Sequence, residues 1–255
     1  MKFLKRLLTI PLVLLLSGCL ANLSSTIDSL GWPTAQGAPA HELPMYGEQN
    51  FSNDPVMQKK INDFIASEVQ TYGTRKNAAI RYINTGYAFY EQDKLGMAVE
   101  QFNGAWLLDP TNPDVYTGFA RVLHDQEKDC EAAHMMNRAA HLTIYNQSWR
   151  VNSSFYPDFG LLLTQCAVND KTLKEARNDL LSRSESAYQT GEQQLQRLRK
   201  NDRVLRAYLF GSWARAYYER GDNAKAWVMV RKQREAGGTP TENFLQKLRQ
   251  KMPER

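Results

Sequence analysis

Residues 79–112 read AIRYINTGYAFYEQDKLGMAVEQFNGAWLLDPTN, and the placement of small and aromatic residues along this stretch decides the fold. Counted as a 34-residue unit from Ala79, it puts Gly86 at position 8, Ala98 at 20, Phe102 at 24, Ala105 at 27 and Pro110 at 32. The following unit, 113–146, begins at Pro113 and repeats the pattern with Tyr116, Phe119, Ala120, Leu123, Ala132, Met136 and Ala139. A further unit, 207–240, carries Phe210, Trp213, Ala214 and Tyr217, then a Gly221-Asp222 turn, then Ala226 and Val230. A fixed internal period of this size marks stacked supersecondary units, each too small to bury its apolar face alone. Small residues let two helices approach closely, the aromatic fills the space between them, and the proline ends the second helix.

The pattern stays helical outward in both directions. Asp54-Pro55 reads as an N-cap followed by proline at the first helical position. Met57, Ile61, Phe64, Ile65 and Val69 then form one apolar stripe, which Tyr72-Gly73-Thr74 stops. Between the second and last units, Thr143 to Pro157 is polar and irregular, which predicts a loop insertion. Asp158 to Val168 predicts a short helix, and 157–200 as a whole reads as a degenerate unit with Ala176 at position 20, Leu180 at 24 and a break at Gly191. Thr239-Pro240-Thr241-Glu242 reads as a capping box. It opens a closing helix over 241–252 with Phe244, Leu245, Leu248 and Met252 on its apolar face. No stretch alternates with period two for long enough to propose a sheet, so the class is all-α.

These residues and spacings resemble the tetratricopeptide repeat (TPR). The resemblance implies a solenoid of helical hairpins over 55–255, closed by an end helix that shields the last apolar face. It also implies a groove lined by positions 2, 5, 9, 12 and 13 of each first helix. Transferred to this chain, those positions bring Tyr87, Tyr90, Glu91, Arg121, His124, Asp125, Arg215 and Tyr218 to the inner face, together with Ile83, Tyr208 and Glu219. Tyrosine and arginine combine flat contact area with hydrogen bonding, which suits a partner-binding surface. The same residues also suit the merely polar inner wall of a solenoid.

The first 18 residues carry a different message. Lys2, Lys5 and Arg6 precede an apolar run from Leu7 to Leu16, about ten residues long. A membrane-spanning helix needs roughly 20, so this run reads as the core of a cleavable signal peptide. It ends in Leu16-Ser17-Gly18-Cys19, which resembles the bacterial lipobox. That resemblance implies cleavage before Cys19, acylation of its thiol and amino group, and anchoring by more than one chain. Leu20 rather than Asp follows the cysteine, which resembles the outer-membrane sorting pattern. The implied address is the periplasmic face of the outer membrane, with the cell surface as a second possibility. Residues 19–54, rich in Gly, Pro and Ser, read as a mostly disordered tether. Within it, Trp32, Met45 and Tyr46 either dock on the folded part or are simply exposed.

The chain has 255 residues, with 32 Lys plus Arg against 27 Asp plus Glu. Its mean hydropathy is −0.55, which excludes a multi-spanning membrane protein. The formal charge of +5 is unevenly spread. Residues 171–255 carry 19 basic and 10 acidic side chains, whereas residues 19–170 carry 10 and 17. Arg197, Arg199, Lys200, Arg203 and Arg206 are dense enough to meet an anionic surface, or they are solvated helix faces. Nucleic acid is not the expected partner. Neither a nucleophile elbow, a phosphate-binding loop, HExxH nor CxxC occurs, so no enzyme, cofactor or metal is expected. His124, His134 and His141 lack the carboxylate or thiolate that would complete a metal site.

With Cys19 assigned to lipid, Cys130 and Cys166 remain in an oxidising compartment. They stand at the same edge of the expected stack, where they form either a disulfide or two buried thiols. The overall expectation is a non-enzymatic, outer-membrane-anchored adaptor that holds an envelope protein or peptide in its groove. An immunity-type inhibitor lipoprotein is the alternative.

Overall fold

The computed structural model describes residues 39–145, 154–170, 176–197 and 202–254. The expected signal segment 1–18, Cys19 and Trp32 lie outside the described residues. The described part is all-α, with ten α-helices and no strand. In chain order these are α1 (Pro55–Tyr72), α2 (Arg75–Tyr90), α3 (Leu95–Leu108), α4 (Pro113–Asp125) and α5 (Asp129–Tyr145). There follow α6 (Phe155–Asn169), α7 (Arg177–Arg197), α8 (Arg203–Glu219), α9 (Asn223–Glu235) and α10 (Glu242–Lys251). Capping chemistry sets several starts. The Asp54 carboxylate accepts from the amides of Val56 and Met57, and the Thr74 hydroxyl accepts from Asn77. Thr241 caps α10 by accepting from Phe244, so Pro240 lies just outside that helix rather than in its first turn.

Helices pair along the chain: α2 with α3, α4 with α5, α6 with α7, and α8 with α9. First helices of neighbouring pairs also touch, α2 with α4 and α6 with α8. One aromatic ring explains the closeness of the first two pairs. Phe102 of α3 is fully buried and meets Tyr87 and Phe119 edge to face, at 5.2 and 5.9 Å between ring centroids. A Cβ built on Gly86 would lie 2.6 Å from this ring, and one on Gly118 would lie 2.5 Å from it. Both positions therefore exclude any side chain. Alanines 98, 105, 120, 132 and 139 line the same helix contacts with no exposure.

The later pairs use another aromatic. Tyr188 of α7, fully buried, lies over Gly160 and stacks on Trp213 at 5.1 Å. Counting from Pro157 had put Leu180 at the position equivalent to Phe102. Leu180 is itself fully buried, but the ring seated over Gly160 belongs to Tyr188, later in the 21-residue α7. Nor does Gly191 break the helix, because α7 runs through it to Arg197. Its missing side chain instead makes room for Tyr156 and Leu209, whose atoms would stand 3.0 and 3.1 Å from a Cβ there. The helix expected from Asp158 starts at Phe155, which is 1% exposed. Burying that ring extends the helix three residues upstream, and α5 likewise continues to Tyr145 inside the expected loop.

Part of the segment expected as a spacer is packed. Ala40–Glu42 and Pro44–Glu48 form two short turns against α3, and Met45 is 2% exposed. Met45, Tyr46, Gly47 and Glu48 all have positive φ, between 50° and 67°. For the three residues with a side chain this backbone costs roughly 1–2 kcal/mol each, so contacts made by the packed segment must offset it.

Cys130, near the start of α5, is bonded to Cys166, near the end of α6, with the two Cα atoms 4.7 Å apart. The free-thiol alternative is thereby set aside. The bond ties α5 to α6 across a sequence separation of 36. Removing it as Cys130→Ala/Cys166→Ala is expected to cost about 3–4 kcal/mol in the chain-entropy account, read as a lower urea midpoint. Gly118→Ala is expected to destabilise the fold by about 1–2 kcal/mol, because overpacking against Phe102 outweighs the gain in helix propensity. Thermal unfolding of that variant measures the loss.

Candidate partner-binding groove

The first helices α2, α4, α6 and α8 each contribute one polar side chain to a continuous line. Tyr87 of α2 lies under the Arg121 guanidinium of α4, 5.5 Å from ring centroid to Cζ. Arg121 Nη2 stands 3.4 Å from Asp158 Oδ2 and 3.4 Å from Ser154 Oγ, at the start of α6. The Tyr208 hydroxyl of α8 donates to the other carboxylate oxygen of Asp158. Tyr87 also donates to the Asp114 carbonyl at 3.4 Å, and Tyr90 is hydrogen-bonded to Asp125.

Burial dominates the electrostatics of this line. It raises the Asp158 carboxyl above the usual range, with the Tyr208 hydroxyl and the Arg121 charge pulling the other way. The hydroxyls of Tyr87 and Tyr208 are raised, first by burial. Tyr90 is pushed up to about 12 by burial and by its bond to Asp125. None of these tyrosines ionises near neutral pH. They act as neutral donors, and Arg121 and Asp158 balance one another.

At the far end of the line lies a cavity of about 200 Å³ between α6, α8, α9 and the start of α10. Leu161, Tyr208 and Phe244 form apolar walls, and Gln233 and Thr241 add polar edges. Arg215 also lines it and is exposed, with no acidic partner among the described residues. Beside the cavity, Tyr218 meets the Phe244 ring edge to face at 5.7 Å.

The expected groove residues thus divide. Tyr87, Tyr90, Arg121 and Asp125 cluster across α2 and α4, and Arg215 and Tyr218 lie at the cavity. Glu91, just past the end of α2, is exposed and donates its backbone amide to the Tyr87 carbonyl, closing the helix. His124 turns instead to Asp129 at the start of α5, with Nδ1 and Oδ1 at 2.8 Å. His134 lies 3.0 Å from the Arg138 guanidinium, and no group of metal-binding side chains forms among the described residues. Asp158, the residue that joins the two halves of the line, was not among the expected site residues. Its signal was an acidic residue between Phe155 and Phe159 in an otherwise apolar helix start, which reads equally as helix-terminal charge. Of the basic run, Arg197 and Arg203 are exposed, while Arg199 and Lys200 lie outside the described residues.

The bond to Asp129 raises the His124 pKa above 6.5 despite an opposing burial effect. The protonated pair therefore stabilises the fold fully below about pH 6.5 and loses that contribution as pH rises through the folded value. The His124 side chain is 40% exposed, so screening keeps the contribution below about 1 kcal/mol. His124→Gln is expected to lower the urea midpoint at pH 5.5 and to match wild type at pH 9.

Among the described residues, no helix is long and apolar enough to cross a membrane. Compared with known proteins, the chain matches no family, no curated protein and no solved structure.

Proposed function

We propose that the chain is a lipid-anchored, non-enzymatic adaptor. Its helical hairpins act as a TPR-like solenoid that holds an envelope protein or peptide at the periplasmic face of the outer membrane. The observation that carries the binding role is the line Tyr87–Arg121–Asp158–Tyr208 across four successive first helices, ending beside the exposed Arg215. Such a line gives one surface a fixed shape and aromatic faces, which suits an elongated partner more than a small molecule. The free charge of Arg215 beside apolar walls favours a partner segment that brings a carboxylate next to an apolar side chain. The anchor rests on the basic, apolar and Leu16-Ser17-Gly18-Cys19 succession at the N-terminus.

Two measurements test this. In a Gram-negative host, radiolabelled palmitate is expected to enter the wild-type chain and to be absent from Cys19→Ser; equal labelling of both removes the anchor. A photo-crosslinking residue at Tyr218 is expected to give one dominant adduct in intact envelopes. That adduct should be lost on adding Arg215→Glu, while the same probe at the exposed Gln246 of α10 gives none. Equal adducts from both positions, or no effect of Arg215→Glu, remove the groove from the account.

A further inference from the structure

The segment 40–48 is held as a ligand is held. Asn103 of α3, only 1% exposed, reads three backbone groups of this segment through one side chain. Its amide nitrogen donates to the carbonyls of His41 and Leu43 at 3.0 and 2.9 Å, and its oxygen accepts from the Tyr46 amide at 3.3 Å. Those bonds ask for a backbone shape and leave the sequence free. Two side-chain contacts supply the selectivity. Met45 is buried with its sulfur 3.1 Å from Arg138 Nη1 of α5, and Glu48 pairs with Nη2 of the same guanidinium at 2.6 Å. His41 adds a third, 3.3 Å from Glu100 of α3.

Two features separate this arrangement from an ordinary packed terminus. The four residues from Met45 to Glu48 take left-handed backbone, and three of them carry side chains that disfavour it. The segment's own hydrogen bonds are a few single-turn contacts, such as Leu43 to Ala40 and Tyr46 to Leu43. Its conformation thus depends on the groove that receives it, and backbone strain of this kind gathers where a segment is clamped or switched. The site also sits on α3 and α5, second helices of their pairs, whereas the candidate groove lies on first helices.

We propose that the groove between α3 and α5 is a second peptide-binding site, occupied in cis by residues 40–48. A partner peptide enters when it offers an unbranched apolar side chain followed three residues later by a carboxylate. Asn103 would read its backbone, the Met45 seat would take the apolar side chain, and Arg138 would pair with the carboxylate. The chain's own segment is the competitor, so apparent affinity for the partner falls with the fraction of molecules in which the segment is docked.

The probe is a fluorescein-labelled peptide of residues 39–50, PAHELPMYGEQN, added to the full-length protein in detergent. Met45→Lys in the protein sets a second cation against Arg138 in the buried seat and releases the segment. This variant is expected to bind the probe at least about ten-fold more tightly than wild type, by fluorescence polarisation. Adding Asn103→Ala should abolish the binding, and so should Met45→Lys in the peptide. A charge swap checks the second contact: Arg138→Glu in the released protein should lose the normal probe and recover one carrying Glu48→Arg. In wild type, excess unlabelled peptide should raise deuterium uptake in the protein's own residues 41–48 while α3 and α5 stay protected. This measurement needs no variant to fold. Absence of probe binding by a folded Met45→Lys protein overturns the proposal, as does binding indifferent to Asn103→Ala. If the variant does not fold, unchanged uptake over 41–48 at saturating peptide overturns it.

Discussion

Phe102 has no room to move, and much of the first half of the molecule follows from that. Its ring lies against the backbone of Gly86 on one helix and Gly118 on the next, so α2 and α4 are held at the distance an aromatic ring sets. Tyr87 is the neighbour of Gly86, and Arg121 stands three residues after Gly118, about one turn on. The contact that excludes a Cβ at both glycines therefore also brings the tyrosine ring under the guanidinium. Tyr188 does comparable work further on, lying over Gly160 and stacking on Trp213. Asp158 precedes Gly160 by two residues, and the Tyr188 hydroxyl lies 3.0 Å from Ser212 of α8. The polar line and the hydrophobic seats are products of the same close approaches.

The charges along the line are tolerated because they are shared. A half-buried carboxylate such as Asp158 would be expensive alone, and one partner would leave acceptor capacity unused. Arg121 and the Tyr208 hydroxyl together occupy both oxygens, and Ser154 and Tyr87 take up part of the guanidinium. The result is a nearly neutral, well-hydrogen-bonded stretch that gives way to an exposed positive charge at Arg215. The closed middle fixes the shape of this surface, and its open end leaves one charge exposed.

How much was legible in the sequence depended on whether a residue's role was local. The helix start at Asp54 was readable because capping uses only neighbours in the chain. The glycine, alanine and aromatic period was readable because it recurs. Leu180, counted to the position of Phe102, is buried, but the ring over Gly160 is that of Tyr188, eight residues on, which a count along the chain does not find. Asp158 and Asn103 were missed for a common reason. A single polar residue in a helix looks alike whether it faces water or a partner fifty residues away, and only the packed neighbours tell the two apart. Met45 was noticed as a docking candidate but left undecided, since Gly and Pro around it dominate the local composition.

By itself the sequence determined the helical class, the repeated hairpin pattern and the strongly polarised charge, because periodicity and capping are short-range properties of the chain. It also placed Cys130 and Cys166 near one another without deciding their bond. Only the tertiary structure decided that they are joined, that Asp158 links Arg121 and Tyr208 into one line, and that Met45 is seated beside Asn103 and Arg138. Each of those outcomes rests on side chains brought together from distant parts of the chain. Which polar group finds a partner is a property of the packed helices and of no local pattern.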